Sequence, residues 1–172
     1  LTNLADCKNK NLENLTVCLL DRPRHSQIID KLNEFKINKK LISDGDVLGA
    51  LLVTNRKFNV DMFIGIGGGP EGVIAASALD AHDCFFQGRF IFEDENDIKR
   101  ARLMGISDLN KKYQLNEIVS GDSIFVATGI TDGDIMKGIK IKENKFLSET
   151  FVTHKNTSTK EVRLKEYSIN SL

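Results

Sequence analysis

Apolar residues in the first half of the chain fall into short blocks, each followed by a polar break and then by helical spacing. Thr16-Val17-Cys18-Leu19-Leu20 is an apolar run with β-branched content, which predicts a buried strand. After Asp21-Arg22-Pro23-Arg24-His25, the residues Ile28, Ile29, Leu32 and Phe35 recur on one helical face. They predict a helix from Ser26 that stops at Asn38-Lys39-Lys40. Leu41-Ile42 predicts a second brief strand, Ser43-Asp44-Gly45-Asp46 breaks it, and Val47 to Val53 predicts another helix. Met62-Phe63-Ile64-Gly65-Ile66 predicts a third strand. Gly67-Gly68-Gly69-Pro70-Glu71-Gly72 follows, then an alanine-rich helix from Val73 to Ala81.

Strand, polar loop and helix therefore come three times in succession. Helical crossovers imply a largely parallel sheet. All three loops then leave the carboxyl edge, where open α/β sheets bind ligands. Beyond Gly88 the texture changes. Arg89-Phe90-Ile91-Phe92 predicts a strand, Glu93 to Met104 a solvated helix, and Ser123 to Ala127 a strand leading into Thr128-Gly129-Ile130-Thr131-Asp132-Gly133-Asp134. Alternation over Gly138 to Ile141, Thr150 to Thr153 and Glu161 to Tyr167 predicts antiparallel strands. The expected class is α/β: a mixed, largely parallel sheet flanked by helices, with antiparallel C-terminal strands, in a single domain over residues 1–172.

Composition narrows the function classes. A chain of 172 residues is long enough to bury a core without disulfides or structural metal. Lys plus Arg and Asp plus Glu both number 24, so the basic excess that nucleic acid or anionic membrane binding requires is missing. No apolar run approaches the ~18 residues of a membrane helix, and no signal-peptide pattern opens the chain. Cys7, Cys18 and Cys84 are odd in number, scattered and free of CxxC spacing, which points to reduced thiols and a cytoplasmic location. Cys18, inside an apolar strand, reads as a small core residue. The chain starts at Leu1 without an initiator methionine, which sets the expectation of further sequence upstream.

The three loops carry the candidate chemistry. Arg22 and Arg24 flank Pro23; their guanidinium forks suit phosphate oxygens, and a solvated surface turn fits them equally. Asp44 and Asp46 around Gly45 can accept hydrogen bonds from sugar hydroxyls or hold a divalent cation, and either can instead cap the following helix. Three consecutive glycines, Gly67 to Gly69, let a ligand approach the backbone, and Pro70 suits the first turn of a helix whose N-terminus favours phosphate. Glu71 would repel phosphate in that setting unless a cation lies between them; the bland alternative is a dipole-favoured carboxylate facing solvent. Gly67, Gly69 and Gly72 also fit GxGxxG, with Glu93 about twenty residues on, as in a dinucleotide fold. Against that stand Pro70, which removes an amide, and Glu71, placed where a pyrophosphate would lie. His25, His82 and His154 are too scattered to form a metal trio by spacing, and no GxSxG elbow occurs.

Taken in order, Leu20-Asp21-Arg22-Pro23-Arg24-His25, Ile42-Ser43-Asp44-Gly45-Asp46, Gly65 to Gly72 and Ala127 to Gly133 resemble the class II fructose-1,6-bisphosphatases. These are the bacterial glycerol-regulon type, within the lithium-sensitive sugar phosphatase superfamily. Gln87-Gly88-Arg89 shares the likeness, which runs from about Thr16 to the C-terminus. The resemblance implies hydrolysis of fructose 1,6-bisphosphate to fructose 6-phosphate and phosphate, a gluconeogenic step, with Mn2+ or Mg2+ as cofactor. It implies substrate contacts for Arg22, Pro23, Arg24, Asp44, Gly45, Asp46 and Gly68, and a metal ligand in Glu71. It assigns Thr131 and Asp132 no role, and it implies a homo-oligomer, dimer or tetramer.

The family is about twice as long, and the resemblance covers its C-terminal half. The other metal-binding carboxylates and the family's catalytic threonine lie upstream, so no catalytic residue is expected in this chain. Enzymes accelerate phosphate-monoester hydrolysis by up to ~10²¹, nearly 30 kcal/mol. Two arginines and one carboxylate cannot supply that, so the segment alone is expected to be inactive, with the N-terminal half as its partner. An NAD-binding oxidoreductase domain and a non-catalytic sugar-phosphate-binding domain are the alternatives. Sedoheptulose 1,7-bisphosphate and inositol phosphates stay open as substrates.

Overall fold

In the computed structural model, residues 1–168 are described. Helix α1 (Thr2–Lys8) precedes strand β1 (Thr16–Leu20); a 3-10 turn (Pro23–His25) leads into α2 (Ser26–Glu34) and β2 (Asn38–Ile42). Helix α3 (Asp46–Leu51), β3 (Met62–Phe63) and α4 (Gly69–Asp80) complete the first half. The strands form a parallel sheet in the order β2-β1-β3, with Leu20 opposite Ile42 and Cys18 opposite Phe63.

Strand β1 is central, and its side chains alternate between two cores. Val17 and Leu19 join Ala5, Leu15, Leu32 and Ile37 on the side of α1 and α2. Cys18 points the other way, against Leu52 and Val60. Burial on both faces explains the unbroken apolar run. Residues 1–15, which the sequence left unassigned, are part of this packing: Ala5 is buried there, and Lys8 and Lys10 pair with Asp61 at 3.1 and 2.8 Å.

Two expectations need correction here. Asn38-Lys39-Lys40 does not end the helix but opens β2. Lys40 lies opposite Cys18 with its ammonium 2.7 Å from Asp134, so lysine stems line an edge strand and the heads stay wet. Strand β3 stops at Phe63 rather than Ile66. After the Ile64 N–H bonds the Cys18 carbonyl, the chain leaves the sheet, and α4 begins at Gly69, four residues before Val73.

The second half contains β4 (Gln87–Gly88), α5 (Glu95–Leu103), β5 (Tyr113–Gln114), α6 (Leu115–Ile118), β6 (Ile124–Thr128), β7 (Lys140–Lys142), β8 (Lys145–His154) and β9 (Thr159–Ser168). Arg89 to Phe92 is not a strand. The antiparallel β4–β5 ladder ends at Gly88 and Tyr113, leaving residues 89–92 without a paired strand among the described residues, while Phe90 packs edge-on against Tyr113. The C-terminal strands are antiparallel, as their alternation predicts, but form their own sheet. One edge of β8 carries β6 and β7, and β9 runs along the other. Phe125 and Phe151 pack with Leu51, Ala75, Ala78 and Leu79, and the buried Thr153 hydroxyl donates to the Ala78 carbonyl at 3.2 Å. This joins the second sheet to α4, the helix that carries the glycine loop.

Candidate active site

The parallel sheet sets the loops after β1, β2 and β3 on one edge. Arg22 is extended (φ −137°, ψ 146°), and Pro23 opens the 3-10 turn. His25, fully buried, follows. Its Nε2 accepts the Ile66 N–H at 2.8 Å, which leaves the proton on Nδ1 to donate to the Leu20 carbonyl, also 2.8 Å. The Arg24 Nε–H donates to the Ile66 carbonyl. Two consecutive side chains of the first loop thus grip one residue of the third.

This changes the reading of the arginines. Arg24 is an anchor whose remaining guanidinium nitrogens stay exposed, whereas the Arg22 guanidinium makes no hydrogen bond or ion pair among the described residues. His25 was missed as a site residue. Its signal was faint: a histidine straight after Pro-Arg at the end of a buried strand.

In the second loop neither aspartate caps α3. The N-cap is Gly45 at φ +81°, a left-handed conformation suited to glycine, and its carbonyl accepts from Gly49 N–H. Asp44 Oδ1 accepts from Gly45 N–H and Asp46 Oδ1 from Val47 N–H, each at 2.9 Å. The capping alternative is therefore corrected: among the described residues each carboxylate keeps its Oδ2 free of hydrogen bonds. A Cβ placed on Gly67 would lie 3.5 Å from Asp46 Oδ2, so the second and third loops approach there.

Gly68 is the N-cap of α4, with Pro70 and Glu71 in the first turn. The Glu71 carboxylate folds back over Gly68, where any Cβ would collide with Oε2. Residues 67–71 are all exposed. Glu71 therefore offers one accessible carboxylate beside orphan helix amides. Among the described residues no group of three His, Cys, Asp or Glu side chains converges to hold a metal ion. One carboxylate fits a cation shared with phosphate and other ligands, not a site built by this chain alone.

The loop after β6 explains Asp132 structurally. Its Oδ1 accepts the Gly138 N–H at 2.9 Å, which lowers the carboxyl's pKa, and Gly133 N–H bonds the Met136 carbonyl at 3.0 Å. The dinucleotide alternative loses its geometry. Glu93 is not at a strand end; it stands before α5, its N–H directed at Asp97 Oδ2, and Glu71 covers Gly68.

The sequence profile of the family described as bacterial fructose-1,6-bisphosphatase, glpX-encoded, matches residues 1–167. The chain belongs to the class II fructose-1,6-bisphosphatase family. The match begins at residue 1, so the likeness extends upstream of Thr16 and takes in α1. The chain is 34% identical to a D-fructose 1,6-bisphosphatase class 2/sedoheptulose 1,7-bisphosphatase of Trichodesmium erythraeum, over 91% of this chain and 49% of the relative. Proteins of the same description from Synechocystis sp. (32%; 91% and 49%) and Prochlorococcus marinus (34%; 91% and 51%) match likewise. The chain thus spans about half the length of these curated relatives. Among the described residues no helix is long and apolar enough to cross a membrane.

Proposed function

We propose that this chain is the C-terminal, substrate-holding part of a divalent-cation-dependent fructose 1,6-bisphosphatase that releases the 1-phosphate. The observation that carries this reading is the joining of three loops at one sheet edge: Arg24 and His25 fix Ile66, and Asp46 meets the backbone at Gly67. Arg22, free of internal partners, binds the non-reacting phosphate, with Arg24 contributing its outer nitrogens. Asp44 and Asp46 accept from sugar hydroxyls through their unbonded oxygens. The exposed backbone at Gly68 lies against the substrate, and Glu71 donates one oxygen to Mn2+ or Mg2+. The cation would polarise the phosphoryl group and activate water when bound.

The remaining ligands and the catalytic group belong to the N-terminal half, so this chain alone is inactive. The relatives' double description makes sedoheptulose 1,7-bisphosphate a second substrate to assay. Three free cysteines support a reducing, cytoplasmic setting. The test is phosphate release from fructose 1,6-bisphosphate, with and without Mn2+, by this chain and by the chain joined to an N-terminal half. Release only from the joined, metal-loaded protein is expected. No release from a folded joined protein would discard the reading.

A further inference from the structure

The segment from Gly65 to Gly69 is glycine at every position but Ile66. Glycine loses more backbone freedom on ordering than any other residue, so this loop is costly to hold in one shape. Pairing with β1 ends just before it, where the Ile64 N–H bonds the Cys18 carbonyl at 3.0 Å. Ile66 is then held at both of its backbone groups, two residues short of the N-cap of α4.

The two holds differ in kind. His25 is fully buried, and the 2.8 Å bond it accepts from the Ile66 N–H is a fixed part of the fold. Arg24 is exposed; its Nε–H donates to the Ile66 carbonyl while its outer nitrogens face solvent. Such a bond, made by a long side chain in contact with water, contributes little by itself. The guanidinium is planar and rigid, however, so an anion gripped by the outer nitrogens also fixes where Nε–H points.

On the bisphosphatase reading, we propose that the non-reacting phosphate orders the glycine loop through Arg24. Phosphate on the outer nitrogens locks Nε–H onto the Ile66 carbonyl, and with it the backbone leading to Gly68 and Glu71. Arg24 is then a positioning residue as well as a phosphate contact. Binding energy from the distal end of the substrate serves turnover, and a sugar carrying only the reacting phosphate meets a loose loop and reacts slowly. Arg22, which makes no hydrogen bond to the loop among the described residues, supplies attraction alone.

Fructose 6-phosphate presents the distal phosphate without the reacting one. Added to this chain at up to about 10 mM, it should shift the amide NMR signals of Ile66, Gly67, Gly68 and Gly69 and slow their hydrogen exchange. Arg24→Lys keeps a cation for the phosphate but has no N–H at the Nε position, so there the loop signals should stay in place. Circular dichroism checks that the variant folds. If the Arg22 side-chain signal moves in wild type and the loop does not, the proposal falls and the bisphosphatase reading stands; if neither moves, the substrate-holding reading falls with it.

In the joined enzyme, kcat for fructose 1-phosphate should lie at least about ten-fold below that for fructose 1,6-bisphosphate. Phosphite dianion, filling the distal site, should raise it. Arg24→Lys should abolish this activation, whereas Arg22→Ala should need more phosphite and still be activated. Equal kcat for the two substrates, or activation that survives Arg24→Lys, overturns the proposal and leaves the bisphosphatase reading in place.

Discussion

The imidazole of His25 is spent on one contact across the sheet edge: its Nε2 takes the Ile66 N–H at 2.8 Å while Nδ1–H is held by the Leu20 carbonyl. The loop after β3 is thus fixed by a buried side chain rather than by strand pairing, which has already ended at Phe63. His25→Ala leaves the part-buried Ile66 N–H unpaired, takes one of two donors from the Leu20 carbonyl, which keeps the Arg22 N–H, and opens a cavity. A loss of about 2–4 kcal/mol in urea unfolding is expected. His25→Asn, which retains a donor and an acceptor, should lose less.

The two arginines should separate in the joined enzyme. Arg22→Ala removes a guanidinium without internal partners, so unfolding stability should stay within about 0.5 kcal/mol while KM for the bisphosphate rises and kcat changes less. Arg24→Ala also frees the Ile66 carbonyl and should lower both stability and kcat/KM. Identical profiles for the two variants would contradict this division.

How far these features could be read from the chain depended on how local their causes are. The β1 run and the helical face through Leu32 were legible because burial on two faces and one-sided burial leave different spacings. Lys39 and Lys40 misled because an edge strand tolerates lysine, and being an edge is a property of the whole sheet. Phe90 and Phe92 look like strand residues, but a strand exists only where a neighbour supplies hydrogen bonds. At the site, the glycine run and its acidic neighbours stood out by residue type. The His25 grip did not, because it joins positions 41 apart in the chain.

Two glycines outside the proposed substrate loops should be far less replaceable than a third. A Cβ at Gly129 would collide with the Lys137 carbonyl, and one at Gly138 would lie 2.6–2.7 Å from Ile130 and Thr131 backbone atoms. Gly121 has nothing within 4 Å. Alanine at Gly129 or Gly138 should cost about 2 kcal/mol or more, since backbone cannot move aside, whereas Gly121→Ala should be close to neutral. Thermal midpoints of the three variants check the contrast.

Asp61 should make stability depend on pH on the acid side. Burial alone would raise its carboxyl, but hydrogen bonds from Lys10, the Thr16 N–H and Lys8 together bring it below its ordinary 3.8. A folded value beneath the unfolded one means the stabilisation is complete above the unfolded value and is lost as pH falls through the folded one. Stability measured between pH 7 and pH 3 should therefore fall more steeply for wild type than for Asp61→Asn. That variant, having lost the pairs with Lys8 and Lys10, should already be weaker by about 1–3 kcal/mol at neutral pH.

Gly68→Ala tests whether Glu71 matters through its position rather than its charge alone. A methyl group at residue 68 would strike the Glu71 carboxylate and displace it from the N-terminus of α4. Because Glu71 is exposed and its side chain can swing away, stability should change by less than about 1 kcal/mol. In the joined enzyme, however, the same methyl should reduce kcat/KM at least about ten-fold and raise the metal concentration needed for half activity. Glu71→Gln, which keeps the shape and removes the charge, should show the metal effect without the steric one. If Gly68→Ala left metal dependence untouched while Glu71→Gln altered it, the folded-back carboxylate would not be its working position.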